Sequence, residues 1–148
     1  MLVNMLAEFV KKFKKACDEN CIDVVGEYWD TRENRNTDSL SIEVMFSGIT
    51  FSFEIYIWNE EIQACGGATC LMLKGVEYYS EHFSMIETYC ISDGIADIEE
   101  IIDFITSCDL KKRMVKIVHA IDEFFESYDD DFDKEFIMEY IKMHYDNY

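Results

Sequence analysis

The sequence predicts a single α+β domain, with an antiparallel sheet near its start and helices after it. The main observation is the stretch Ile49–Trp58, in which every second residue is apolar: Ile49, Phe51, Phe53, Ile55 and Ile57. Successive side chains of a strand point to opposite faces, so this strand has one wholly apolar face and one mixed face. After Gly94 the apolar spacing changes from two residues to three or four, which predicts helices.

Length and composition indicate one domain over residues 1–148. The chain has 148 residues, 49% of them hydrophobic, and no proline. A chain of this length can bury roughly two-thirds of its unfolded surface. No Gly/Ser-rich stretch suggests a linker between two domains.

The N-terminal segment predicts an amphipathic helix. Its apolar residues recur every three or four positions: Leu2, Leu6, Phe9, Val10, Phe13 and Cys17. Four lysines stand in its last turns, at positions 11, 12, 14 and 15. A phosphate-binding patch is one interpretation of these lysines. A solvated helix end is the preferred one, since cations complement the helix dipole there.

Two strands joined by a tight turn form the best-defined part of the predicted sheet. Apolar and polar residues alternate over residues 40–46, and Ser47-Gly48 then connects this strand to the central one. A two-residue turn fixes the register, so we expect Val44 opposite Phe51 and Ile42 opposite Phe53. A further strand is predicted over residues 22–29, before a polar loop.

The rest of the sheet is less sharply defined by the sequence. In residues 62–73 apolar residues occupy both odd and even positions, which is typical of a strand buried on both faces. Gly66-Gly67 within this stretch indicates a bulge or a close backbone approach. Residues 76–92 fit both helical and alternating spacing, and we favour a strand from about residue 82 to 92. The sheet is thus expected to have four or five strands.

Three C-terminal helices are expected to pack on this sheet. The first has an isoleucine stripe from Ile95 to Ile105, with Asp93 or Asp97 as its N-cap. The second runs from Asp109 to Tyr128, and the third covers residues 132–144.

The chain is strongly acidic, with a formal net charge of −18. Residues 1–75 contain 7 basic and 12 acidic residues, a net charge of −5, and residues 76–148 contain 6 and 19, a net charge of −13. Such a charge repels nucleic acid and anionic membranes and attracts basic protein surfaces. The plainer alternative is that the charge only keeps the protein soluble.

The densest acidic run is the candidate partner-binding site. It places eight acids in fourteen residues, namely Asp122, Glu123, Glu126, Asp129, Asp130, Asp131, Asp133 and Glu135. In a helix this is one negative charge per roughly 2.6 Å, given a rise of about 1.5 Å per residue. Duplex DNA has one per roughly 1.7 Å of axis, and a single strand one per roughly 3.4 Å. The run therefore has a charge density comparable to that of a phosphate backbone, although a solvated helical hairpin with acidic caps explains it equally well.

No catalytic, cofactor or metal-binding pattern is expected. Asp129-x-Asp131-x-Asp133 starts like a calcium loop, but Lys134 and Tyr140 stand where that loop needs Gly and an acid. The spacings Cys17-x3-Cys21 and Cys65-x4-Cys70 fit a zinc site poorly, and buried thiols are the preferred interpretation.

An active thiol is also disfavoured by the charge of the chain. Cys65 followed by two glycines, with His82, His119 or His144 as base, could form a nucleophile. Its activation would require a positive environment, which a net charge of −18 opposes. We therefore expect a protein that is not an enzyme.

The N-terminus lacks the order of a signal peptide, and no apolar run approaches the roughly 20 residues of a membrane span. The sequence thus predicts a cytoplasmic protein without membrane association. All six cysteines (Cys17, Cys21, Cys65, Cys70, Cys90 and Cys108) are then expected as thiols.

The general profile resembles that of small inhibitor proteins. It is short, very acidic and without a recognisable active site, as are phage anti-restriction and anti-CRISPR proteins and other DNA mimics. This resemblance implies stoichiometric binding to a basic, nucleic-acid-handling protein such as a nuclease, with no direct contact to nucleic acid. The alternatives are an immunity or antitoxin protein that neutralises a basic nuclease toxin, and an adaptor module whose charge is incidental.

Overall fold

The computed structural model describes residues 2–30, 39–83 and 89–126 of the chain. It contains helices α1 (Leu2–Glu19), α2 (Ser80–Phe83), α3 (Ile98–Thr106) and α4 (Leu110–Glu126). Its strands are β1 (Asp23–Asp30), β2 (Ser39–Phe46), β3 (Ile49–Trp58), β4 (Glu61–Leu73), β5 (Val76–Tyr79) and β6 (Cys90–Ile95). The predicted α+β class, with an N-terminal helix and an antiparallel sheet, is confirmed.

The sheet has six antiparallel strands in the order β1-β2-β3-β4-β5, and β6 pairs with β4 as well. The central hairpin has the predicted register, with Val44 opposite Phe51 and Ile42 opposite Phe53. Its turn residues Ser47 and Gly48 have φ values of 54° and 81°. Positive φ at both positions is what a two-residue turn between twisted strands needs.

The long strand β4 has neighbours on both edges because two glycines in its middle admit them. A Cβ on Gly66 would lie 2.1 Å from the carbonyl oxygen of Ser52 on β3. A Cβ on Gly67 would lie 2.2 Å from the carbonyl oxygen of Tyr89, next to β6. The predicted close backbone approach at this pair is therefore present.

Three predictions about the later elements are wrong in the described residues. The sheet has six strands instead of four or five, since residues 76–79 form β5 as a separate strand. The strand expected from about residue 82 begins at Cys90, and His82 lies in the short helix α2. Three C-terminal helices are not found: α4 is the last described element, after the nine-residue α3, and the third predicted helix lies outside the described residues.

The core lies between one face of the sheet and the helices α1, α3 and α4. Phe51 and Phe53 of β3 are buried and meet Phe104 of α3 edge-on, at centroid distances of 5.8 and 6.2 Å. The helices contribute the buried residues Leu6, Val10, Phe13, Cys17, Ile101, Ile102, Ile105, Leu110, Met114 and Ile117. An ion pair between Lys14 of α1 and Glu27 of β1 joins the two layers at one edge. The helical layer therefore covers a single face of the sheet.

Candidate functional site

The acidic segment predicted as the partner-binding site is only partly within the described residues. Asp122 and Glu123 are exposed on α4, and Glu123 lies 3.2 Å from His119. Glu126 is the last residue of that helix. The remaining members, Asp129, Asp130, Asp131, Asp133 and Glu135, lie outside the described residues. Their role as a binding site stays a prediction.

The described residues contain a second acidic surface, on the face of the sheet that the helices leave uncovered. We call it the open face. Across an antiparallel sheet, directly paired residues lie on the same side, so the register assigns each side chain to a face. Seven acids belong to the open face: Asp23, Asp30, Glu43, Glu54, Glu61, Glu77 and Asp93. The six strands contain no Lys, Arg or His at all, so this face has no cation of its own.

Large apolar side chains are exposed between these acids. Tyr28, Trp58 and Tyr79 are 68%, 57% and 47% exposed, and Met45, Met72 and Ile95 of the same face are exposed as well. Aromatic residues and methionine are enriched in protein interfaces, where they supply the buried centre of the contact. An exposed apolar set of this kind, rimmed by charge, is typical of a protein-binding surface.

A hydrogen-bonded cluster lies near the middle of the open face, where β3, β4 and β6 meet. The hydroxyl of Tyr56 donates to the Asp93 carboxylate and lies 3.4 Å from the Gln63 amide oxygen. This bond to Asp93, with desolvation as a smaller cause, raises the pKa of Tyr56 to about 12. Burial and a hydrogen bond to Asp93 raise the pKa of the Cys65 thiol to about 11. The same two bonds lower the pKa of Asp93, so this acid stays ionised on the open face.

The cysteines are free thiols, and burial raises the pKa of four of them, Cys17, Cys65, Cys70 and Cys108. Burial raises the pKa of Cys17 to about 11, as expected for a core thiol. The prediction of buried thiols is wrong for Cys21, which is exposed, and for Cys65 and Cys70, which belong to the open face and are half-buried there. A thiolate nucleophile needs a lowered pKa, and Cys65 has a raised one.

The two described histidines have partners other than Cys65. The Nδ1 atom of His82 accepts from the Tyr79 N–H at 2.9 Å, and His119 pairs with Glu123. In the parts of the chain that the structure describes, no group of three or more His, Cys, Asp or Glu side chains is arranged to hold a metal ion. None of the described helices has the length and apolar character needed to cross a membrane.

The basic residues lie away from the open face. Among the described residues, eight of the nine lysines and arginines stand on α1 and α4, and the ninth, Lys74, lies in the β4–β5 turn. The helices α1, α3 and α4 also contain nine acids, so the helical layer has mixed charge, whereas the charged residues of the open face are all acids. Within the described helices the charges therefore largely cancel, whereas the acids of the open face have no cations among them.

The number of acids per segment of sequence does not reveal the open face, because each strand contributes only one to three acids. The acids come together only across the sheet, through strand pairing. One signal in the sequence could have found them: every predicted strand lacks lysine and arginine.

Comparison with known proteins finds no matching family model, no similar curated protein and no similar solved structure.

Proposed function

We propose that the protein is a non-enzymatic inhibitor that binds stoichiometrically to a basic, nucleic-acid-handling protein, as a phage or mobile-element DNA mimic would. The observation that supports this proposal best is the open face, with seven acids, no cations and exposed aromatic residues. Charge complementarity favours a basic partner over a neutral one. A nuclease or other effector that binds a phosphate backbone presents such a basic surface.

The two kinds of side chain on the open face have different tasks in this proposal. The carboxylates attract the partner from a distance and raise the association rate, by about 10- to 1,000-fold at low salt. Tyr28, Trp58 and Tyr79 provide contact area once the surfaces meet, and they limit the dissociation rate. Asp122 and Glu123, which are exposed on α4, add negative charge on the α4 side.

Charge reversal on the open face tests the proposal. In the variant E43K/E54K/E61K three exposed glutamates of three different strands become lysines. The control E8K/D18K/D103K makes the same change in net charge on exposed residues of α1 and α3. Both variants should fold, since exposed charges contribute little to stability. A third variant, D122K/E126K/D129K/D130K, tests the segment predicted from the sequence.

The measurement begins with capture of partners from a lysate of the native host, using the parent and each variant as bait. A captured nucleic-acid-binding protein is then purified, and its association rate and residual activity are measured against inhibitor concentration and salt. We expect inhibition at a 1:1 ratio, a steep loss of affinity with salt, and at least tenfold slower association of the open-face variant than of the control. Equal association of these two variants at low salt would show that the charge serves solubility alone.

A further inference from the structure

The described residues contain a cationic groove between the β2–β3 turn and the first turns of α4. Its volume is about 500 Å³. The lining residues are Ser47, Cys108, Lys111, Lys112, Val115 and Lys116. The turn is held against β4 by a hydrogen bond of 2.9 Å from the Met72 N–H to the Gly48 carbonyl oxygen. One wall of the groove is therefore a fixed part of the sheet.

The three lysines of this groove lie within six residues at the start of α4. Among the residues that the structure describes, none of them has a carboxylate within 4.0 Å. Lys112 and Lys116 are four residues apart on one helix, a spacing at which like charges repel. Lys111 and Lys112 lie in the first turn of α4, where the helix dipole disfavours cations. An anion bound between them would offset both the repulsion and the unfavourable interaction with the dipole.

A smaller apolar pocket, of about 190 Å³, continues the groove along α4. It is lined by Leu73, Lys74, Val76, Tyr78, Val115, Val118 and Asp122. Val115 lines both spaces, so the two are adjacent. Positions 111, 115, 118 and 122 follow one stripe of the helix, spaced four, three and four residues apart. The stripe thus changes from cationic through apolar to acidic.

We propose that this paired site binds an organic phosphate of the nucleotide class, with its phosphates among Lys111, Lys112 and Lys116 and its base against Val115 and Val118. The lysines supply ammonium donors and the Ser47 hydroxyl a further donor to phosphate oxygens. The apolar pocket takes the planar base, and Lys74 and Asp122 in its lining can hydrogen-bond a base edge. An acyl chain would gain nothing from that carboxylate, which is why we assign a nucleotide. The site is independent of the open face.

Calorimetric titration of the full chain tests this site with three probes: adenosine triphosphate, inorganic tripolyphosphate and a short 5′-phosphorylated single-stranded oligonucleotide. The lysine variant is K111Q/K112Q/K116Q. Its matched control, K11Q/K12Q/K15Q, removes three lysines from α1 and changes the net charge equally. A second variant, V115D/V118D, places carboxylates in the apolar pocket and leaves the lysines in place.

We expect saturable 1:1 binding of the nucleotide by the parent and by the α1 control. The lysine variant should bind at least tenfold more weakly, which corresponds to about 1.4 kcal/mol. V115D/V118D should weaken binding of the nucleotide more than binding of tripolyphosphate. Tighter binding of adenosine triphosphate would indicate a free nucleotide as the ligand, and tighter binding of the oligonucleotide would indicate a nucleic-acid end.

Three results would overturn the assignment. They are no saturable binding of any probe, equal affinities of the lysine variant and the α1 control, and equal affinities of the parent for tripolyphosphate and the nucleotide. Since no partner protein takes part, these results are independent of the test of the inhibitor function.

Discussion

Replacement of Phe53 by alanine should remove a large share of the stability of this fold. Phe53 lies in the middle of β3 and is 2% exposed. Its ring stacks on Phe51 at a centroid distance of 6.3 Å, meets Phe104 at 6.2 Å, and lies close over Gly66 of the neighbouring strand. Loss of a buried phenylalanine costs about 3–5 kcal/mol, from lost transfer energy and the cavity left behind.

The magnitude belongs at the upper end of this range for two reasons. Each aromatic pair contributes about 0.5–1.5 kcal/mol beyond the area that it buries. Gly66 has no side chain that could move into the space, and its close approach to β3 fixes the backbone. For a domain of this size each kcal/mol shifts the melting temperature by about 2–4 °C, so we expect a decrease of about 10–20 °C.

Denaturant unfolding followed by circular dichroism measures this loss, with Trp58→Ala as the control on the same strand. Trp58 is the larger residue but belongs to the open face, so its removal should change stability by about 0.5 kcal/mol at most. If Phe53→Ala unfolds at the same denaturant concentration as the parent, or if the two variants lose equal stability, the assignment of the buried and open faces is wrong.

Two further changes test local features of the fold and the open face. Asp97→Ala removes the side chain that accepts from two backbone N–H groups at the start of α3, at 2.9 and 3.3 Å; it should cost about 1 kcal/mol in denaturant unfolding, whereas Asp97→Asn should cost much less. Asp93→Asn should lower the pKa of Tyr56 from about 12 towards 10.0, and that of Cys65 by less, because burial is the larger cause there; tyrosinate absorbance and thiol alkylation against pH measure both. Because the folded pKa of Tyr56 is raised, its stabilising contribution is complete below pH 10 and is lost as the pH rises through about 12; the variant should lack this contribution and its loss with pH. Unchanged titration of both groups in Asp93→Asn would contradict the cluster.

The central hairpin could be predicted from sequence because two independent signals agree there. The alternation of apolar residues defines a buried face, and the Ser47-Gly48 turn fixes which residues lie opposite. A slip by one residue would expose Phe51 and Phe53 and bury Glu54, so the alternatives are far less stable. The N-cap Asp97 was also among the two predicted candidates, and it is the one that the structure uses.

Residues 76–95 could not be predicted in the same way because their elements are too short to show a period. β5 has four residues, and Tyr78 is the buried one among them. Phe83, whose position fits both helical and alternating spacing, is a buried residue of the short helix α2. The sequence Asp93-Gly94 predicts a turn before a helix. Both residues instead belong to β6, beside an irregularity in its pairing with β4. Tertiary contacts with β4 override the local preference there.

The distribution of the charges matters more for the proposed function than their total. A net charge of −18 attracts any basic protein but does not determine which side meets it. The distribution of the cations does so, because the strands have none, whereas in α1, α3 and α4 eight lysines and arginines stand among nine acids. We therefore expect a basic partner to favour the open face over the described helices, where the charges largely cancel. The fold itself permits this distribution: one face of the sheet must be apolar to hold the helices, and the other face, free of that requirement, has seven acids among exposed apolar side chains and no Lys, Arg or His.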